Sequence, residues 1–202
     1  DYAGSNLAGI VERAAELGNF VWIDMEASDY TDSTLRLFRG IRENHANVGV
    51  CLQAYLRRTT RDLEELLPLG PAIRVVKGAY KESPSLAFRG RKEVDENYLR
   101  LARTLFEEAS NGNGTPPALG THDLRLIGRL EEVAAGAGLK KEALNIQMLY
   151  GIQRAAQLRL AAQGYPMRVL ISYGDAWFPW YMRRLAERPA NILFVLRNLF
   201  AR

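Results

Sequence analysis

Six apolar runs rich in β-branched residues recur along the chain, and a longer polar and apolar stretch separates each run from the next. They are FVWIDM from Phe20, VGVCLQAY from Val48, AIRVVKGAY from Ala72, PALGTHD from Pro117, LNIQMLYG from Leu144 and MRVLISYG from Met167. Each run is almost continuously apolar, which is typical of a parallel strand covered on both faces. The alternation predicts an α/β fold with a parallel sheet.

The stretches between the runs have helical periodicity. Apolar residues spaced by three or four positions form three stripes: Leu35, Phe38 and Ile41; Val94, Tyr98, Leu101 and Leu105; and Leu124, Ile127 and Leu130. We expect these stripes to pack on the sheet. Thr31 with Asp32, and His122 with Asp123, are candidate helix caps.

Composition limits the class of protein. The chain has 202 residues, 48% hydrophobic and 25% charged, and no linker divides it, so we predict one domain over residues 1–202. One cysteine, Cys51, excludes a disulfide framework and fits a reducing, cytoplasmic compartment. No run approaches the length of a bilayer span. The net charge is +4, but the basic residues are spread among nearly as many acidic ones, so nucleic acid is not an expected partner.

Polar residues favour a barrel over an open sheet, because they lie at or near the carboxyl ends of different runs. They are Asp24, Gln53, Arg74, Lys77, Thr121, His122, Gln147 and Tyr173. Strand ends converge on one mouth in a (β/α)8 barrel, whereas an open sheet binds its ligand mainly at a glycine-rich switch-point loop, which is absent here. About six βα units are present where a closed barrel has eight, so we expect roughly two units to precede the chain.

Arg74 and Lys77 lie in an apolar strand and therefore need an anionic partner. Asp24 or Glu26 could supply it in a structural ion pair, or a ligand could. Gly78 and Ala79 would let a planar or phosphate-bearing ligand approach the backbone.

Thr121 and His122 either cap a helix or meet a phosphate or ribose. The two histidines of the chain lack metal-ligand spacing, so no metal is proposed.

The segment from Trp177 to Pro189 combines aromatic residues with paired arginines. On a helix, Trp180, Arg183, Arg184 and Glu187 would lie within about one turn of each other. Paired guanidinium groups can grip a carboxylate by bidentate hydrogen bonds. The alternative is a solvated basic helix face.

Seven motifs occur in a fixed order from Phe20 onward: VWIDME, LQAY, RVVKGAY, THD, LYG, SYG and WYMRRLAE. This set resembles the proline dehydrogenase family, in its monofunctional bacterial form or as the matching domain of the bifunctional enzyme. The resemblance implies a distorted (β/α)8 TIM-type barrel that holds FAD at its strand ends, with a late helix covering the substrate. It places the chain in the carboxyl-terminal two-thirds of that domain.

The resemblance also implies residue roles. Asp24 and Arg74 would belong to the catalytic centre, with Arg74 beside the reactive flavin nitrogen. The cofactor-binding set would be Met25, Gln53, Lys77, Gly78, Ala79, Thr121, His122 and Glu187. The substrate-binding set would be Tyr80, Leu149, Tyr173, Trp180, Arg183 and Arg184, in which the two arginines clamp the proline carboxylate.

Two departures from the family pattern affect these roles. Trp180 stands where the family often has tyrosine, which puts a hydroxyl contact and the substrate range in doubt. The family's early-strand lysine at the carboxylate, and an acidic partner of the arginines, would both precede residue 1.

The implied partners are proline and a quinone or other electron acceptor, together with a partner dehydrogenase for the product. The family passes electrons to membrane quinones, so peripheral contact with the inner membrane stays open. The apolar stripe of the terminal segment NILFVLRNLF is nevertheless expected to pack on the barrel.

Two other functions stay open. Lys77 could form a Schiff base in a different barrel enzyme, which would need a flavin-free pocket. The chain could also be an inactive fragment that folds partially or self-associates through exposed apolar edges.

Overall fold

The computed structural model describes residues 2–171, 174, 175 and 178. The described elements alternate between helix and strand along the chain. In order they are α1 (Tyr2–Glu16), β1 (Val21–Ile23), α2 (Thr31–Arg42), β2 (Val48–Gln53), α3 (Thr59–Leu66), β3 (Ala72–Val76), α4 (Arg91–Ser110), β4 (Ala118–Gly120), α5 (Leu124–Gly136), β5 (Asn145–Leu149), α6 (Arg154–Ala162) and β6 (Met167–Leu170). All six predicted runs contain one of these strands, so the α/β prediction is confirmed.

The six strands form one sheet in the order β1-β2-β3-β4-β5-β6, and every neighbouring pair is parallel. Sequential parallel order is the topology of a (β/α) barrel, whereas a doubly wound sheet reverses direction at a switch point. The sheet is also curled. In a flat sheet, residues two strands apart are separated by about 10 Å, yet Arg74 on β3 contacts both Asp24 after β1 and Gln147 on β5.

One face of the sheet packs against helices and forms the main core. Strand β2 is buried along its whole length, and the outward residues of β3 and β5 are buried in alternation. The predicted stripe of α2 is buried, as are Tyr98, Leu101 and Leu105 of α4. The stripe predicted for α5 is wrong at Leu124, which is the first residue of the helix and is 37% exposed.

The helix caps also separate into one confirmed and one wrong prediction. Asp123 is the N-cap of α5, and its carboxylate accepts hydrogen bonds from the backbone amides of Arg125 and Leu126. Thr31 instead lies inside α2, with Tyr30 at the cap position and no side-chain cap. A short 3-10 turn over Ser28–Tyr30 leads directly into α2. The helix therefore begins at Thr31 itself, and this residue cannot occupy the cap position that precedes the helix.

Candidate active site

The opposite, concave face of the sheet carries the polar residues predicted to form a site. Their positions match the register of the strands. Asp24 directly follows β1, Gln53 ends β2, Arg74 is central in β3, Lys77 follows β3, Thr121 follows β4, and Gln147 and Leu149 lie in β5. Because parallel strands end at one rim, these residues are brought together at the carboxyl side of the sheet.

Arg74 lies at the centre of the concave face, and its side chain is 12% exposed. Its guanidinium forms an ion pair with Asp24, donates to the Gln147 Oε1 at 3.4 Å and lies 5.2 Å from the centre of the Trp22 ring. Burial lowers the pKa of Arg74 from its ordinary value, but an arginine stays protonated in proteins. The site therefore holds a fixed positive charge whose anionic partner, Asp24, is itself 68% exposed.

Gln53 has a buried acceptor atom on this face. The residue is 3% exposed, and its Nε2 donates to the backbone oxygen of Met25 at 3.1 Å. Its Oε1 has no hydrogen-bond partner among the described residues. Met25 packs its side chain into the core and is 6% exposed. The Gln53 amide therefore has an acceptor left for a ligand, because a buried polar atom without a partner costs free energy.

His122 has a buried ring nitrogen that acts as a hydrogen-bond donor, in contrast to the acceptor of Gln53. Its Nε2 accepts a hydrogen bond from the Leu149 backbone amide at 3.2 Å, so the neutral ring carries its proton on Nδ1. Burial lowers the pKa of His122, which favours this neutral form. The Nδ1 atom is buried without a partner in the part of the chain that the structure describes. His122 can therefore donate one hydrogen bond to a ligand.

Gly78 follows Lys77 in a backbone conformation that favours glycine, with φ at 109°. A Cβ atom at this position would lie 2.1 Å from the Tyr55 ring, so the glycine is required by both conformation and space. Ala79 and Tyr80 come next on the partly exposed rim, and the Tyr80 hydroxyl donates to Glu26.

A second contact between the same two loops fixes the segment that carries Tyr80. Glu82 accepts hydrogen bonds from the Ser28 backbone amide at 2.8 Å and from the Ser28 hydroxyl at 2.7 Å. The loop after β3 is thereby tied to the loop after β1, across the end of β2.

Lys77 is bound by carboxylates that differ from the predicted ones. Its ammonium lies 2.5 Å from Asp95 of α4 and 2.8 Å from Asp123, whereas the ion-pair alternative named Asp24 or Glu26. The ion-pair alternative therefore holds for Arg74, which meets Asp24, and does not hold for Lys77. Lys77 points along the rim toward the helices, while Arg74 points into the concave face, so the two cations meet different anions.

Asp95 was missed by sequence reasoning. It follows Arg91 by four positions on a charged helix, a spacing typical of a solvent-exposed pair. Its side chain is 15% exposed and contacts Lys77 from another element. Nothing in the local pattern indicates that contact.

Five predicted residues lie outside the described residues: Tyr173, Trp180, Arg183, Arg184 and Glu187. The expected late helix over the substrate is in the same part of the chain. Among the residues that are described, no group of three or more His, Cys, Asp or Glu side chains could hold a metal ion. None of the described helices has the length and apolarity needed to cross a bilayer.

Comparison with known proteins extends over nearly the whole chain. Residues 5–197 match the model of the proline dehydrogenase family. Proline dehydrogenase 2 of Bacillus subtilis is 40% identical over 98% of this chain, and the proline dehydrogenase of Deinococcus radiodurans is also 40% identical over 98%. The chain spans 64% of the first of these relatives and 63% of the second.

Comparison with solved structures supports the barrel fold. Proline utilization A of Bdellovibrio bacteriovorus, inactivated by N-propargylglycine, matches with a TM-score of 0.81 at 26% identity, over 90% of this chain and 21% of that one. Another proline utilization A structure, with proline bound in remote sites, has a TM-score of 0.80 at 21% identity over 98% of this chain and 22% of that one, which supports the fold alone. The six strands are thus part of a curled TIM-type barrel, as predicted. From the family match and the identity to its relatives, the chain belongs to the proline dehydrogenase family.

Proposed function

We propose that this chain is the barrel domain of an FAD-dependent proline dehydrogenase, corresponding to the carboxyl-terminal two-thirds of the family's domain. It would oxidise L-proline to 1-pyrroline-5-carboxylate, the first step of proline catabolism. The observation that carries the proposal is the buried guanidinium of Arg74, held at the centre of the concave face by an exposed carboxylate. The family membership gives that cation its chemical context.

The residues at the rim fit a flavin nucleotide. The Gln53 Oε1 and the His122 Nδ1 have no partner among the residues that the structure describes, and the first can accept a hydrogen bond while the second can donate one. A flavin ring has an N–H donor and ring acceptors, and a nucleotide tail offers phosphate and ribose oxygens. Two buried atoms of opposite hydrogen-bonding character are therefore matched to such a ligand.

Bound FAD would supply the hydride acceptor that no side chain provides. We assign its binding to one contiguous rim. The residues are Met25, Gln53, Lys77, Gly78, Ala79, Thr121 and His122, with Glu187 outside the described residues. Met25 would contribute its backbone, because its side chain lies in the core.

Arg74 would stabilise the negative charge that arrives with the hydride. A preorganised and largely buried cation is more effective than a solvated one, because it needs no reorganisation during the reaction. Asp24 would keep the guanidinium oriented. Because Asp24 is largely exposed, it would adjust easily when a ligand enters.

The substrate would bind against the same face. Tyr80 and Leu149 lie near the rim, and we assign them to the pocket wall together with Tyr173 and Trp180. Arg183 and Arg184 would grip the proline carboxylate, which fixes the ring carbon that loses its hydride. These last four residues lie outside the described part of the chain.

The Schiff-base alternative is less compatible with the geometry. Two carboxylates bind the Lys77 ammonium at 2.5 and 2.8 Å. A Schiff base requires a neutral amine facing an open pocket. The two carboxylates instead hold Lys77 at the rim against α4 and the start of α5.

Further expectations concern partners. We propose a quinone or another electron acceptor, and a dehydrogenase that consumes the product. We also propose a cytoplasmic location and no nucleic-acid partner.

An absorption spectrum of the purified protein tests the proposal directly. Bound flavin should give a visible spectrum that bleaches when proline is added without an electron acceptor. Mild denaturation should release free flavin, since binding is expected to be non-covalent. A colourless protein, or a flavin spectrum that proline leaves unchanged, would contradict the proposal.

A further inference from the structure

Four charged side chains form a closed ring at the rim between β3, α4 and α5. In this rim ion cluster, Lys77 contacts Asp95 and Asp123, and Arg91 contacts the same two carboxylates, at 3.8 Å for Asp95 and 2.6 Å for Asp123. Positive and negative groups alternate around the ring. The cluster is therefore neutral overall, although it contains four ionised groups.

Burial within the cluster is uneven. The side chains of Asp95 and Asp123 are 15% and 14% exposed, and that of Lys77 is 24% exposed, whereas that of Arg91 is 76% exposed. Burial alone would raise the pKa of Asp123, but hydrogen bonds from Lys77 and Arg91 outweigh it and lower the pKa well below its usual range. Asp123 thus acts as a fixed anion toward Lys77.

The contacts limit how Lys77 can meet a ligand. A lysine ammonium has three N–H donors in tetrahedral directions. One of them is donated to the Asp123 carboxylate at 2.8 Å. The ammonium also lies 2.5 Å from the Asp95 Oδ1, in an ion pair that lacks hydrogen-bond geometry. The two carboxylates, one on α4 and one at the cap of α5, therefore hold the ammonium in place and leave donors for a ligand.

We propose that Asp95 and Asp123 are positioning residues, which hold the Lys77 ammonium where its remaining donors meet an oxygen acceptor of the bound cofactor. This inference rests on the proposed function. Asp123 also caps α5 directly after Thr121 and His122, so the cluster couples the position of Lys77 to the strand end that carries these two residues.

A positioning role and a purely electrostatic role of Asp95 predict opposite changes in FAD affinity when Asp95 is replaced by Asn. Asp95→Asn removes a negative charge near an anionic nucleotide, so a purely electrostatic effect would tighten FAD binding. If Asp95 acts by holding Lys77 in place, the same variant should weaken FAD binding by about tenfold or more, which is the size of one lost charge-assisted hydrogen bond.

A double-mutant cycle on the purified protein tests the mechanism. Lys77→Met, Asp95→Asn and their combination are compared by the dissociation constant of FAD, measured by titration of the apoprotein. The combined variant should bind no more weakly than Lys77→Met alone, within about twofold, because Asp95 acts only through Lys77. The matched control is Asp62→Asn, a carboxylate 6% exposed in the first turn of α3 and paired with Arg58, and it should leave the constant unchanged.

A second measurement does not depend on FAD. The rate at which Lys77 is reductively methylated in the apoprotein, followed by mass spectrometry, should rise severalfold in Asp95→Asn and stay unchanged in Asp62→Asn. If Asp95→Asn does not fold, Asp123→Asn replaces it, because asparagine retains the helix cap.

The outcomes separate the two proposals. If the unmodified protein binds no FAD while Lys77 labelling rises in Asp95→Asn, the proposed function fails and the orientation of Lys77 by Asp95 stands. If FAD binds tightly but binding is tighter or unchanged in Asp95→Asn, or the two substitutions are additive, the positioning role is wrong. Unchanged labelling of Lys77 would also overturn it.

Discussion

Arg74 and Lys77 lie three residues apart on β3 and its continuation, yet they occupy opposite kinds of site. Arg74 points into the concave face, where its carboxylate partner is 68% exposed. Lys77 points along the rim, where two carboxylates that are 15% and 14% exposed hold it. A cation with an exposed partner can interact with a ligand at low cost, whereas one held by two largely buried carboxylates keeps a fixed position. We therefore assign chemistry to Arg74 and cofactor positioning to Lys77.

The largest expected effect comes from removing the charge of Arg74. Arg74→Met should lower the rate of flavin reduction by proline by on the order of 100-fold or more, with a much smaller change in proline binding. Single-turnover absorbance measurements check it. Arg39→Met, which removes a partly exposed guanidinium paired with Glu65 on the helix side, serves as the control and should leave the rate unchanged. If proline binding collapsed while the reduction rate stayed unchanged, Arg74 would bind the substrate and would not take part in the chemical step.

The next effect tests whether the segment after Lys77 is held rigidly. Gly78→Ala should lower the free energy of unfolding by about 2 kcal/mol or more, because it combines an unfavourable φ with a clash against Tyr55. Gly138→Ala isolates the first contribution, since Gly138 has a φ of 77° and open space around it, and it should cost about 1 kcal/mol. Denaturant unfolding measures both variants. Equal losses would mean that Tyr55 moves aside easily.

A competition assay shows whether Arg74 or the late arginines grip the substrate carboxylate. Tetrahydro-2-furoic acid, which has the carboxylate, should bind at least about tenfold more tightly than pyrrolidine, which lacks it. Arg184→Met should remove most of that difference, and Arg74→Met should preserve most of it. Equal inhibition by both compounds in the unmodified protein would exclude the clamp. If the difference in affinity between the two compounds were lost in Arg74→Met alone, Arg74 would be the residue that binds the substrate carboxylate.

The smallest effect concerns acid stability through the rim ion cluster. The folded-state pKa of Asp123 is lowered, so its contribution is fully present above the unfolded value of about 3.9 and is lost as the pH falls toward the folded value. The difference in unfolding free energy between the unmodified protein and Asp123→Asn should be constant from neutral pH to about pH 5 and shrink below about pH 4. Glu64→Gln, an exposed charge change, is the control. A constant difference down to pH 2 would show that Asp123 has an ordinary pKa.

The fold was predictable because its signals are local. Six continuous apolar runs indicated the strands, and the three-to-four residue stripe of α2 indicated its buried face. Arg74 and Gln53 were found for a related reason, since a polar side chain within a buried strand needs a partner. Asp95 was not found, because its helical spacing looks like that of an exposed ion pair.

The sequence by itself determined the parallel α/β order, the polar residues at the strand ends and the need for anions near two buried cations. Only the tertiary structure decided which anion each cation meets. Lys77 and Asp123 are 46 residues apart in the chain, and they meet because α4 and α5 begin beside the end of β3. Hydrophobic periodicity specifies which face of an element is buried, but the pairing of two charges depends on the relative position of whole helices. Local sequence patterns contain no record of that position.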